Sequence, residues 1–127
     1  MPLSTCIKNM IVTFFLVLAL PCGAVSAQND IESRKIDFLI ASVANLAGAK
    51  FVRNDAEYDG KEAADHLRMK LKRAAGKVRT AEDFIALCAS KSYISGRPYT
   101  IKFSSGETIT SEAFFRKKLR QYNSSTR

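Results

Sequence analysis

The chain has 127 residues, with 20 Lys and Arg against 12 Asp and Glu, and a formal net charge of +8. This length excludes more than one modest domain, and the charge indicates anionic partners. The sequence contains no Gly-rich phosphate loop, no Cys-x-x-Cys motif and no serine in a nucleophile-elbow setting, so none of those chemistries is expected.

Residues 1–27 have the pattern of a secretory signal peptide. A basic head with Lys8 precedes the apolar run "IVTFFLVLAL", which is too short to span a bilayer comfortably. Small residues, Val25 and Ala27, stand at positions −3 and −1 of a cleavage site after Ala27. We therefore expect a cleaved leader and a mature domain of residues 28–127 in the periplasm, or secreted, without a transmembrane segment. An uncleaved membrane anchor is the alternative.

Cleavage would change both the cysteine content and the charge. Cys6 and Cys22 would leave, and Cys88, inside "DFIALCAS", would remain as a buried thiol without an intrachain disulfide. The mature part would keep 19 basic and 12 acidic residues, a net charge of +7. Outside the cytoplasm the anionic partners are lipid headgroups, lipopolysaccharide phosphates, cell-wall carboxylates and acidic proteins, whereas nucleic acid is not expected.

Three helices and one short strand are predicted in the first part of the mature chain. Apolar residues recur at helical intervals over residues 31–47, and Gly48 is a natural stop. "KFVRN" is short and extended. A second helix is expected from about residue 59 to Gly76, and a third over residues 80–90, with Thr80 as its N-cap.

A hairpin and a last helix complete the predicted domain. "YTIKF" alternates with period two, "SSGE" supplies a turn, and "TIT" returns. The last helix carries Phe115, Leu119 and Tyr122 on one stripe, and "NSSTR" is expected to fray. The prediction is a small single α+β domain of about four helices packed on a short two- or three-stranded antiparallel sheet.

The stretch "EYDGKEAADHLRMK" holds the single histidine, His66, after two acids at helical spacing, Asp59 and Glu62. Those acids fit a capping box, which explains them without a ligand. His66 lies about 120° from the centre of the apolar stripe, so we expect it to face water or a partner. One histidine with two acids is a weak zinc signal, and we expect neither a metal nor a cofactor.

A cluster of basic residues in "RMKLKRAAGKVR" has no acid to compensate it. Charged residues on the solvent-exposed side of a helix can serve only to keep that side solvated. Uncompensated positive charges, however, repel one another unless an anion binds. The predicted binding face consists of Arg68, Lys70, Lys72, Arg73, Lys77 and Arg79.

The ordered motifs "IDFLIASV", "FVRND", "EYDGKEAADHLRMK", "VRTAEDFIALCAS" and "SGRPYTIKF" resemble a family of small exported bacterial proteins of unknown function, found mainly in proteobacteria. The resemblance covers most of residues 34–122. It departs from the family at Asp55, where relatives often have Gly. It implies no reaction, but it draws attention to a polar cluster of Arg53, Asn54, Tyr58 and His66. A hydrogen-bonded Arg–Tyr–His network that holds the fold would explain the cluster equally well.

These observations leave two main functional hypotheses. The first is a non-enzymatic binding module that uses the basic face against an anionic envelope component or a partner protein. The second is a cell-envelope hydrolase with His66 as the general base, which needs a cleft containing His66 and either Arg53 or Arg68. A third, less favoured hypothesis is a lysozyme inhibitor, prompted by the "SG..Y" pattern. The oligomeric state does not follow from the sequence.

Overall fold

The structure, a computed structural model, describes residues 23–74 and 76–127, with side chains from residue 27 onward. The predicted signal peptide lies outside the described residues up to residue 22, and residues 23–27 form the start of the first helix. In the described part of the chain, no helix has the length and apolar character needed to cross a membrane.

The predicted helices are all present in the described chain, and the third one changes its winding. Its first turn is α-helical, and the next five residues form a π-helix. The helices are α1 Gly23–Ala44, α2 Gly60–Arg73, α3 Ala81–Phe84 with its π-helical continuation Ile85–Ala89, and α4 Ser111–Ser125.

Four antiparallel strands form one sheet in the order β2-β1-β3-β4. They are β1 Lys50–Arg53, β2 Ala56–Tyr58, β3 Thr100–Lys102 and β4 Thr108–Thr110. The predicted α+β class is confirmed, but the sheet has four strands where two or three were expected. The additional strand, β2, is the short "AEY", which has no buried residue and therefore no alternating apolar pattern.

Both predicted N-caps are confirmed. The Glu62 backbone N–H donates to Asp59 Oδ1 at 2.8 Å, and the Asp59 N–H donates to Glu62 Oε2 at 3.0 Å. Thr80 and Asp83 form the same reciprocal capping box at the start of α3. These bonds satisfy backbone donors that a helix start leaves unpaired, and they fix where α2 and α3 begin.

Three predicted helix ends are wrong. Helix α1 ends at Ala44, before the expected stop at Gly48. Helix α2 ends at Arg73 rather than Gly76, because the Ala74 N–H closes the last turn on Lys70 O and Leu71 O. The fraying expected for "NSSTR" does not occur before Ser125. Hydroxyl groups of Ser124, Ser125 and Thr126 donate to carbonyls one turn back, which keeps this end helical.

The core lies between the helices and one face of the sheet. Phe84 and Phe115 are fully buried and meet edge to face, with ring centroids 6.2 Å apart. Ile101 of β3 is also fully buried. Cys88 is buried, as expected, and has no disulfide partner within the described residues, and burial raises the pKa of its thiol. A thiol in this environment is protonated and unreactive.

The start of α2 lies directly against the end of α1. A Cβ atom on Gly60 would stand 2.5 Å from the backbone oxygen of Val43. Because that oxygen belongs to the main chain, no side-chain adjustment can relieve the clash. Only glycine allows the two helices to approach this closely.

We expect Gly60→Ala to lower the free energy of unfolding by about 1–3 kcal/mol, because α2 must move away from α1. Thermal or urea unfolding measures the loss. Gly76→Ala is the matched control, since nothing lies within 4 Å of a Cβ there. Equal stability of the two variants would contradict the close approach.

A buried carboxylate joins α1 to α3. Glu32 is 7% exposed. Its Oε2 accepts a hydrogen bond from the Ala81 N–H at 2.8 Å, and its Oε1 accepts one from Lys35 Nζ at 2.7 Å. Burial raises the pKa of Glu32, but the bonds from Lys35 and the Ala81 N–H outweigh it and leave this pKa below its ordinary value. The ionised carboxylate therefore stabilises the folded state.

Glu32→Gln should lower the free energy of unfolding by about 1–3 kcal/mol at neutral pH, because two charge-assisted hydrogen bonds lose their acceptor charge. Because the pKa of Glu32 is lower in the folded state than in the unfolded state, its ionised form stabilises the fold above the unfolded-state pKa. This stabilisation is lost as the pH falls through the folded-state pKa. The difference from wild type should therefore shrink below about pH 4. Asp37→Asn, an exposed carboxylate on the same helix, is the control. A difference that persists undiminished at low pH would contradict this assignment.

Candidate anion-binding cleft

A cleft of about 460 Å³ lies between α2, the π-helix and the loop of residues 91–99. No Asp or Glu is among its lining residues. Four exposed or partly exposed apolar and aromatic side chains, Met69, Leu87, Tyr93 and Ile94, share the lining with basic ones. The basic side chains are Arg53, His66, Lys70, Arg73 and Lys77.

A smaller pocket of about 50 Å³ adjoins the cleft and shares Arg53, His66, Lys70 and Tyr99 with it. Its remaining lining is mostly apolar and includes Phe51 and Phe115. The shared side chains therefore separate an apolar recess from a wide cationic opening.

Lys70 is held in place by the loop opposite. Its Nζ donates to Tyr99 Oη at 3.0 Å and to the Lys91 carbonyl oxygen at 3.2 Å, and it lies 4.7 Å from the centre of the Tyr99 ring. An ammonium group has three donors, so one remains for a ligand. Lys70 is therefore a fixed positive charge at the boundary of the two cavities.

His66 is half-buried, so the expectation that it faces water is only partly met. Its ring lies edge-on to Tyr58, with centroids 5.1 Å apart, and it lines both cavities. The unpredicted strand β2 ends at Tyr58 and covers this side of α2, which the helical projection could not show. His66 Nδ1 is buried and has no hydrogen-bond partner within the described residues.

The predicted basic face divides into two groups. Lys70, Arg73 and Lys77 line the cleft, whereas Arg68, Lys72 and Arg79 do not. Arg68 and Lys72 each lie two positions from Lys70, which places them about 160° around the helix from it. Arg68 is instead paired with Asp65 at 2.9 Å.

The predicted polar cluster also divides. Arg53, Tyr58 and His66 meet at the inner pocket, but among the described residues no hydrogen bond joins them. The expected Arg–Tyr–His hydrogen-bond network is therefore absent from this part of the chain. Asn54 instead contacts the loop, with its Nδ2 3.4 Å from Ser92 Oγ and its Oδ1 accepting from Ser95 Oγ at 2.7 Å.

An ion pair also connects this loop to the β1–β2 turn. Both Asp55 carboxylate oxygens accept from the Arg97 guanidinium at 2.8 Å, and this bond lowers the pKa of Asp55. Asn54 and Asp55 have positive φ angles of 49° and 66°. That conformation suits the Gly that the family resemblance implies at position 55, and Asp tolerates it while adding the ion pair.

With this geometry described, the chain can be compared with known proteins. Residues 30–123 match a family of unknown function, DUF5329, and the chain belongs to it. The uncharacterized protein YfeK of Salmonella typhimurium is 38% identical over 84 residues, which are 66% of this chain and 68% of that protein. No solved structure matches. The predicted membership of a family of unknown function is confirmed, whereas export and occurrence mainly in proteobacteria remain predictions.

We expect Asp55→Asn to loosen the loop of residues 91–99 without unfolding the domain. Asn keeps the tolerance for positive φ but loses the bidentate ion pair with Arg97. Hydrogen exchange of the amides of residues 92–97 should become faster. Asp65→Asn, which removes an exposed ion pair outside the loop, should leave these amides unchanged. Unaltered exchange in Asp55→Asn would show that Arg97 does not restrain the loop.

Proposed function

We propose that the protein is an exported, non-enzymatic binding protein whose cleft holds an anionic component of the cell envelope. The observation that carries the proposal is the imbalance of charge around the cleft. Four cationic side chains, those of Arg53, Lys70, Arg73 and Lys77, and the ring of His66 have no acidic neighbour among the described residues of the lining. None of the five takes part in a salt bridge within the described chain, whose ion pairs involve Lys35, Arg68, Arg97 and Arg116.

The dimensions and charge of the cleft suit a ligand of this class. Ligand sites commonly enclose about 300–1,000 Å³, and this one falls in that range. Grouping uncompensated cations in one concave site costs self-repulsion, which a bound anion relieves. The envelope as the location rests on the predicted signal peptide of residues 1–27.

One observation favours the hydrolase alternative. Arg53 and His66 line the same cleft, which is the arrangement that this hypothesis requires, whereas Arg68 lies outside it. Among the described residues, the cleft lining offers no carboxylate to act as an acid or nucleophile, and no hydrogen-bond partner orients the ring through His66 Nδ1. If His66 were a general base, release of soluble fragments from purified envelope would occur with the wild type and stop in His66→Gln.

The double variant Arg73→Glu/Lys77→Glu should bind anionic envelope components at least about tenfold more weakly than wild type at low salt, because two cleft cations become acids. Lipopolysaccharide, anionic lipid vesicles and peptidoglycan sacculi serve as separate probes in a co-sedimentation assay. Wild-type binding should weaken as salt is raised, because counterions screen the cleft.

Lys61→Glu/Lys72→Glu is the matched control, since it changes the net charge equally on exposed positions of α2 that do not line the cleft. This control should keep most of the binding. Equal losses in the two double variants would mean that overall charge, and not the cleft, attracts the anion. Absence of binding to all three probes at low salt would overturn the proposal.

A further inference from the structure

Exposed apolar side chains concentrate at the cleft. Of the five large hydrophobic residues that are exposed in the described chain, four line it, and only Ile31 lies elsewhere. Tyr93 and Ile94 are 82% and 95% exposed, far more than Met69 and Leu87 at 40% each. Two adjacent side chains of this kind, next to a cationic site, form an apolar tip that nothing in the described chain covers.

Hydrogen bonds within the loop of residues 91–99 hold the tip in its exposed position. The Gly96 N–H donates to the Ser92 carbonyl at 2.9 Å, and the Ser92 N–H donates to the Arg97 carbonyl at 2.9 Å. Asn54 Nδ2 donates to Ser92 Oγ, whereas Asn54 Oδ1 and the Asp55 carboxylate accept from Ser95 and Arg97, and these bonds anchor both sides of this turn to the β1–β2 turn. These bonds hold the turn in place, so that Tyr93 and Ile94 stay exposed at the rim of the cleft that they line.

Cationic and apolar side chains lie next to one another at the opening of the cleft. Arg73 and Lys77 offer positive charge, and Tyr93 and Ile94 offer apolar and interfacial surface. Cell-wall carboxylates would satisfy the cations but leave the tip in water. An anionic bilayer satisfies both, since cations bind lipid phosphates while aromatic and aliphatic side chains enter the boundary between headgroups and acyl chains.

We infer that the anionic component is the surface of an anionic phospholipid bilayer, on which the protein docks with Tyr93 and Ile94 inserted and Arg73 and Lys77 against phosphates. This inference rests on the proposed function and names its partner. Docking of this kind is peripheral and reversible, because it involves one short loop and a few charges.

Co-sedimentation with phosphatidylcholine vesicles, with and without phosphatidylglycerol, tests the inference. Wild type should bind the phosphatidylglycerol vesicles and not the neutral ones. Tyr93→Ser/Ile94→Ser should bind at least about tenfold more weakly, because the inserted apolar surface is lost. Ile31→Ser, which removes an exposed apolar side chain outside the cleft, should bind like wild type.

A fluorescence measurement reports insertion directly. The chain contains no tryptophan, so Ile94→Trp introduces a single probe at the tip. Its emission should shift to the blue on phosphatidylglycerol vesicles and be quenched by lipids brominated in the acyl chain. Ile31→Trp, the matched control, should show neither change.

The outcomes separate this inference from the proposed function. Binding to sacculi but not to vesicles, lost in Arg73→Glu/Lys77→Glu, would overturn bilayer docking and leave the cationic cleft in place. Vesicle binding that survives Tyr93→Ser/Ile94→Ser, with an unshifted Ile94→Trp emission, would overturn the role of the tip. Failure to bind any anionic probe would overturn both proposals.

Discussion

The approach of Gly60 to the Val43 carbonyl is the constraint on which the position of the cleft depends. The missing Cβ lets α2 start against the end of α1, and the Asp59–Glu62 capping box fixes the residue at which it starts. A helix whose first turn is fixed in place and register also has fixed side-chain directions. Lys70 and Arg73, about three turns further on, are therefore aimed at the loop of residues 91–99 and at β1. The missing side chain at Gly60 therefore determines where the basic side chains near the other end of α2 are placed.

The distribution of acids explains why the cleft is cationic beyond the net charge of +8 of the whole chain. Carboxylates are used elsewhere in the fold: Glu32 anchors α1 to α3, Asp55 ties the loop, and Asp59 and Asp83 cap helices. Each of these roles places a negative charge away from the cleft. The contacts that hold the domain together and the proposed binding of an anion therefore do not depend on the same carboxylates, and the cleft cations remain uncompensated without weakening those contacts.

Local patterns predicted most of the fold, and contacts between distant segments account for what they missed. Capping boxes, helical periodicity and the alternating "YTIKF" depend on neighbours in sequence, and the elements that they predicted are present. Strand β2 has three residues and no buried one, so only its pairing with β1 defines it. Which basic residues line the cleft also depends on how α2 packs against distant segments, so the sequence could not separate the residues inside the cleft from those outside it. The available signal was "SYI", two large apolar residues in a polar stretch without helical or strand periodicity, which can mark an exposed functional tip.

The ring of His66 gives a final physical argument about what the cleft does. A hydrogen on the buried Nδ1 would be a donor without an acceptor, so the neutral tautomer that fits carries its hydrogen on Nε2. Under the proposed function, Nε2 would then be the nitrogen that meets an anion, and it would do so as a donor. A general base would need its lone pair at Nε2 and its hydrogen on Nδ1, where no partner within the described residues would hold it. The same burial that leaves Nδ1 without a partner within the described residues thus favours a hydrogen-bond donor on the cationic side of the cleft, which supports the proposed anion binding over proton abstraction.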